Sequence, residues 1–312
     1  MPLVGLAIFV WIIRGTGLDR VLETFRRVDP RSLAVFPLFT AFILWIRGYR
    51  WWILMRLVGI PYTRRRSSVV WAIGFFAASI TPGKVGDAVR ALYVSRETGK
   101  GLGESFLTVF MDRLMDLVVV LVFGVATILV FSYRYTDMPS IWVIVAASVA
   151  ALGFLYLVLN RSLMRALAGP LVRALTPKKY KSQLTSQVHG FYDALALYGR
   201  RPAATAFAGL LTLVFWAGIV FLAYTAARVL EIEVSLGYIA LMMPMVTLVE
   251  IVPISISGIG TREAAVIYFF AAVGIGSAQA VAFSIMYLIA GTYLTALVGF
   301  VAWLANPAKL GE

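Results

Sequence analysis

Cysteine is absent from the 312 residues and histidine occurs once. The first absence excludes disulfides, thiolate zinc sites, iron–sulfur clusters and cysteine nucleophiles. The second leaves His189 in a basic loop, where it reads as a solvated side chain, and an imidazole metal site has no second ligand to use. No metal and no cofactor is expected. Charge is scarce as well: 14% of the residues are Asp, Glu, Lys or Arg, against about 25% in an ordinary soluble domain. With 61% apolar residues and a mean hydropathy of +0.88, the solvent for this chain is the lipid bilayer.

What is present is a series of apolar runs with basic residues gathered between them. The net charge of +13 would suggest nucleic acid in a soluble protein. Here it reads as topology and as attraction to anionic headgroups, so no nucleic acid is expected. The chain opens on a short apolar run at 3–13 with no basic n-region and no small-residue cleavage site, which reads as a short or trimmed first span and not as a signal peptide. Full-length runs follow at 32–57, 105–131, 141–159, 202–227 and 278–305, each near or above the roughly 17–25 residues that cross the hydrocarbon core. The loop 160–201 carries Arg161, Arg165, Arg173, Lys178, Lys179, Lys181, Arg200 and Arg201 against the single acid Asp193. By the positive-inside rule it is cytoplasmic.

Two runs are too short or too broken to cross. The run 67–80 lies between Arg64, Arg65, Arg66 and the stretch holding Arg90, Arg96 and Lys100, and both flanks belong on the cytoplasmic side. As a helix it is about 21 Å long, against a core of about 30 Å. It reads as a re-entrant hairpin over about 67–95, turning at Pro82 and Gly83. The segment 236–275, broken by VPISISGIGTREAAV, reads the same way from the opposite side, where Arg228, Glu231 and Glu233 lie outside. The expected fold is therefore an all-α polytopic membrane protein in one domain over 1–312. It has about six full transmembrane helices, two opposed re-entrant hairpins forming an inverted repeat, and both termini in the cytoplasm.

Irregular backbone at membrane depth needs protein or water around it, so both breaks should line an interior cavity. Pro82, Gly83 and Gly86 form the first break, and Pro253, Gly258 and Gly260 the second. Their glycines permit tight turns and let a polar headgroup approach the backbone. Helices restarting at Val85 and Thr261 would aim amide-bearing N-termini into the cavity, where phosphate is favoured. Intramembrane charges usually mark a functional path or a buried salt-bridge network. The candidates are Lys84, Asp87 and Arg90 in the first break, Glu250, Arg262 and Glu263 at the second, and Asp112, Arg113 and Asp116 within the span that starts at Ser105. Asp112 and Asp116 share a helix face. Arg47 and Arg50 read as snorkelling side chains, and Trp45, Tyr49, Trp51 and Trp52 as interface anchors. With no Ser–His pair, metal cluster or nucleotide-binding fingerprint, a catalytic site is not expected.

The strings RGYRWWILMRLVGI, TPGKVGDAVRALYVSRETG, FLTVFMDRLMDLVVVL and VPISISGIGTREAAVIYFFAAVGI, in that order, resemble the transmembrane region of lysylphosphatidylglycerol synthases and its stand-alone relatives. The likeness covers nearly the whole chain. The family's P-G-x-x-G-D-x-x-R pattern falls on Pro82, Gly83, Gly86, Asp87 and Arg90, and its acid-Arg-x-x-Asp pattern on Asp112, Arg113 and Asp116. Its G-x-G-x-R-E pattern falls on Gly258, Gly260, Arg262 and Glu263. The resemblance implies a flippase-like domain that moves a polar-headgroup lipid between leaflets of the cell membrane. The cargo would be a phospholipid, an aminoacyl-phospholipid or a polyprenyl-phosphate-linked lipid. No aminoacyl-transferase domain follows the matching region within these residues, so lysine transfer is not expected of them. The expected partners are membrane lipids, anionic or phosphate-bearing, with a lipid-modifying synthase or glycosyltransferase, or a second copy of the chain, as further options. Two other readings stay open: a membrane enzyme or accessory subunit acting on lipid-linked sugars, and a non-transporting scaffold.

Overall fold

The computed structural model describes residues 2–134, 190–251 and 255–306, with isolated positions between 149 and 166. Most of the span expected at 141–159, most of the basic loop 160–201, His189 and Pro253 lie outside the described residues. Among the described residues every regular element is helical, and the fold is that of an all-α polytopic membrane protein. Among the described residues, three helices are long and apolar enough to cross a membrane: Pro30–Leu57, Pro202–Val229 and Ser277–Ala305.

The N-terminal run forms α1 (Pro2–Thr16), which at 15 residues is shorter than the ~20 of a full crossing. The mixed-charge segment after it folds as the amphipathic α2 (Leu18–Arg26), burying Val21 against a later helix. A 3₁₀ turn (Pro30–Val35), capped by the Asp29 carboxylate accepting from the Arg31 amide at 3.0 Å, leads into α3 (Phe36–Leu57). That helix is the hub of the molecule, packing against α4 (Arg64–Ser79), α6 (Leu102–Arg134) and α7 (Pro202–Val229). Between α4 and α6 come a 3₁₀ turn (Pro82–Ala88) and α5 (Val89–Thr98). After α7 come α8 (Leu236–Ile251), α9 (Thr261–Ala271) and α10 (Ser277–Tyr287). A π-helical stretch (Leu288–Tyr293) joins α10 to α11 (Leu294–Ala305).

The helix formed by α10, the π stretch and α11 is the ruler against which both breaks can be placed. At its C-terminal end Arg66 Nη1 donates to Asn306 Oδ1 at 2.7 Å, and further along it Gly299 packs on the Ala72 carbonyl of α4. On its N-terminal half Arg262 Nε of α9 donates to Ser284 Oγ at 2.8 Å. So α4 runs along one half and α9 along the other, antiparallel to it in both cases. At 1.5 Å per residue α4 is ~24 Å long and the composite helix ~43 Å. The end of α4 therefore stands near the π stretch, and there the two breaks meet: Ser257 Oγ donates to the Ser79 carbonyl at 2.6 Å.

Each break has a local cause. In the first, Gly83 (φ 63°) and Lys84 (φ 58°) are both left-handed, which reverses the chain, and the α-helix resumes at Val89. The restart expected at Val85 is thus four residues early, because Val85 to Ala88 form 3₁₀ geometry before regular α-helix is possible. In the second, α9 restarts at Thr261 as expected. Gly260 is obligatory there: its φ is +87°, and a Cβ would lie 2.1 Å from the Gly5 carbonyl oxygen of α1. The Glu263 carboxylate accepts the Gly260 amide at 2.5 Å, which satisfies an orphan donor of the new helix.

Candidate functional site: a buried network of charges at the first break

Three helices and the first break converge on seven charged side chains. From α3 come Arg47 and Arg50, from the turn and α5 come Asp87 and Arg90, and from α6 come Asp112, Arg113 and Asp116. Arg50 is the most fully engaged: Nε donates to Asp112 Oδ1 at 2.9 Å, Nη1 to Asp116 Oδ1 and to Thr212 Oγ1 of α7 at 2.8 Å each, and Nη2 to the Asp112 carbonyl at 2.9 Å. Arg90 joins α5 to α6 through Asp112 Oδ2 at 3.0 Å and also pairs with Asp87. Arg113 Nε reaches the same Asp87 at 2.5 Å. Arg47 Nη1 lies 2.6 Å from the Asp116 carboxylate, with its guanidinium 4.1 Å from the Phe215 ring centroid and 5.4 Å from that of Trp71.

Helical spacing produces this arrangement. Arg47 and Arg50 at i,i+3 face Asp112 and Asp116 at i,i+4, so one turn of cations meets one turn of anions. Gly74 makes room for Arg90, since a Cβ there would lie 2.2 Å from the Arg90 Cγ. Arg50, Arg90 and Asp112 have wholly buried side chains. Removing both ions of such a pair is far less costly than removing one, which strands a charge in low dielectric.

Two readings are corrected here. Arg47 and Arg50 do not snorkel: they are 4% and 0% exposed, because carboxylates within the protein offer a better partner than a distant headgroup region. Trp51 is no interface anchor either. It is fully buried, donates to Thr108 Oγ1 at 3.0 Å and lies under the Arg90 guanidinium at 5.0 Å. Trp45, by contrast, is 61% exposed.

The network is not balanced. Four arginines face three aspartates, a formal excess of one positive charge. Arg47 Nε, Arg90 Nε, Arg113 Nη2 and Asp87 Oδ1 are buried without a hydrogen-bond partner among the described residues. Arg113 is also the arginine of the set that reaches the surface, with 31% of its side chain accessible. Lys84, at the tip of the break, is exposed and has no ion pair among the described residues.

The second break holds a smaller network of opposite sign, one arginine against two glutamates. Besides Ser284, Arg262 donates from Nη2 to Glu263 at 3.1 Å, and from Nη1 to Glu250 and to the Ser257 carbonyl at 3.3 Å each. Ser284 Oγ in turn donates to Glu263 Oε1 at 2.6 Å. Arg262 and Glu263 are 1% exposed, and every polar atom of their charged groups has a partner. Glu250 keeps 14% of its side chain accessible. The structure thus separates the nine expected charged residues. Asp112, Arg90, Arg262 and Glu263 are enclosed by protein partners, Asp87 and Asp116 are nearly so, Arg113 and Glu250 are partly accessible, and Lys84 is exposed.

A polytopic helical membrane protein with paired charges gathered at two breaks in its helices is the class that the fold and site define. The family model of the lysylphosphatidylglycerol synthase TM region matches residues 2–299, and the chain belongs to this family. It is similar to a UPF0104 membrane protein of Methanocaldococcus jannaschii, 23% identical with 98% of this chain and 93% of the relative covered. A UPF0104 membrane protein of Pyrococcus horikoshii is 21% identical, covering 99% and 97% of the two chains.

Proposed function

We propose that this protein is a lipid transporter and not an enzyme. It moves a polar-headgroup lipid between leaflets, the headgroup passing the space between the two breaks while the acyl chains stay in the bilayer. The observation that carries this reading is the cationic excess of the first network, whose Arg113 on α6 is partly accessible, together with the exposed Lys84 at the tip of the break. A phosphate needs donors that are not already consumed, and these two side chains supply them. Lys84 holds a left-handed backbone at φ 58°, a strained conformation that costs of order 1 kcal/mol or more and is typical of functional positions.

The meeting of the two breaks through Ser257 and Ser79 supports a pair of opposed hairpins entering from opposite faces of the cell membrane. Pairing of Arg66 with Glu97 at 2.6 Å, beside Asn306, supports a common side for the base of the first hairpin and the C-terminal end of α11. That side is cytoplasmic in this reading. In liposomes with headgroup-labelled phospholipid, wild type accelerates leaflet exchange and Arg113→Gln and Lys84→Gln each slow it at least tenfold. Equal exchange in all three sinks the proposal, and turnover of a lipid-linked sugar by the purified protein replaces it with an enzyme.

A further inference from the structure

On the face of α3 opposite the buried network, Trp45, Tyr49 and Trp52 form a ladder at i, i+4 and i+7. Trp45 and Tyr49 stack with centroids 6.2 Å apart and planes 6° from parallel, and Tyr49 and Trp52 stack at 5.6 Å and 18°. Two guanidiniums lie over the rungs. Arg64 is 4.5 Å from the Trp52 centroid and 5.4 Å from that of Tyr49, and Arg56 is 5.2 Å from Trp52. Trp52 is itself fixed by donating from Nε1 to the Tyr62 carbonyl at 2.9 Å. Arg56, Arg64 and the adjacent Arg65 are exposed, and none has a carboxylate partner among the described residues.

We propose that this ladder is a docking site for an anionic phospholipid of the adjoining leaflet, separate from the path between the breaks and independent of the transport reading. An arginine stacked on an indole has its flat face covered while its in-plane N–H donors stay free, the geometry that takes a phosphate oxygen pair. The polarity along α3 singles out a lipid as the occupant. Leu38 is 68% exposed and Trp45 61%, and the same stripe continues through Tyr49 and Trp52 to Arg56. Over ~27 Å of helix the stripe passes from aliphatic through aromatic to cationic, the order in which a phospholipid presents chain, interface and phosphate. The strip leads directly to the N-terminus of α4, the base of the first hairpin.

The test uses the whole chain in nanodiscs of phosphatidylcholine with increasing phosphatidylglycerol, reading the thermal unfolding midpoint, which a specific lipid raises by mass action. Wild type gains stability with phosphatidylglycerol, and Arg56→Gln/Arg64→Gln needs about tenfold more of it for the same gain. Arg200→Gln/Arg201→Gln, which removes equal charge from another exposed pair, keeps the wild-type response. Arg56→Lys/Arg64→Lys keeps charge but loses the planar stack, weakens the response severalfold, and carries the test if the glutamine pair does not fold. A wild-type response in both Arg56/Arg64 variants, or an equal loss in the Arg200/Arg201 control, overturns the proposal.

Discussion

Asp112 holds two arginines from two different helices in a site without solvent, so it is the residue on which the first network depends most. Asp112→Asn leaves Arg50 and Arg90 short of a counter-charge, and destabilisation of about 3–5 kcal/mol is expected, read by equilibrium unfolding in mixed micelles. Arg113→Gln should cost no more than about 1 kcal/mol, because its side chain is 31% exposed and Asp87 keeps Arg90. The same substitution should abolish most lipid exchange, so stability and activity separate at adjacent residues. Sequence placed Asp112, Arg113 and Asp116 on one helix and paired the two acids on a face. It missed Arg47 and Arg50, since a cation two turns from a helix end fits snorkelling as well as burial until a facing helix is known. The available signal was a match of spacings, with arginines three apart in one apolar span and aspartates four apart in another.

At the scale of elements, the breaks were the most legible feature, because proline and glycine act on the backbone wherever they stand. The start of α5 was less so, since a left-handed lysine after Gly83 has no marker in composition. The second break depends on α1 closing over it: Gly260→Ala places a Cβ against the Gly5 carbonyl at a φ that alanine resists. A loss of about 1–3 kcal/mol is expected, with proteolysis of α1 as a second readout. The base of the first hairpin is expected to act as an acid-sensitive clasp. Burial opposes ionisation of Glu97, but hydrogen bonds from Arg66 and Tyr62 outweigh it and hold the carboxyl below its ordinary 4.5. A depressed carboxylate contributes stability that is complete above its unfolded value and is lost as pH falls through the folded one. Unfolding midpoints should therefore drop more steeply below about pH 4.5 in wild type than in Glu97→Gln, and parallel profiles would show that the clasp contributes nothing.

For the whole molecule, low charge and long apolar runs made the membrane class plain from the sequence, and the family match agrees. The mutual placement of the breaks was less accessible, because it depends on α4 and α9 taking opposite halves of one long helix, which only tertiary packing decides. That the chain contains no cysteine turns it into a ready background for single thiols. Arg65→Cys and Lys100→Cys should react with an impermeant maleimide from the same side of sealed vesicles, and labelling from opposite sides would mean that α4 and α5 together cross the membrane. In the proposed transport a headgroup passes the tip of the first break. Lys84→Cys in liposomes, modified with a bulky disulfide-forming reagent, tests it in one preparation. Leaflet exchange of a headgroup-labelled phospholipid should stop on modification and return when the adduct is reduced. Exchange that is indifferent to the adduct would contradict the account.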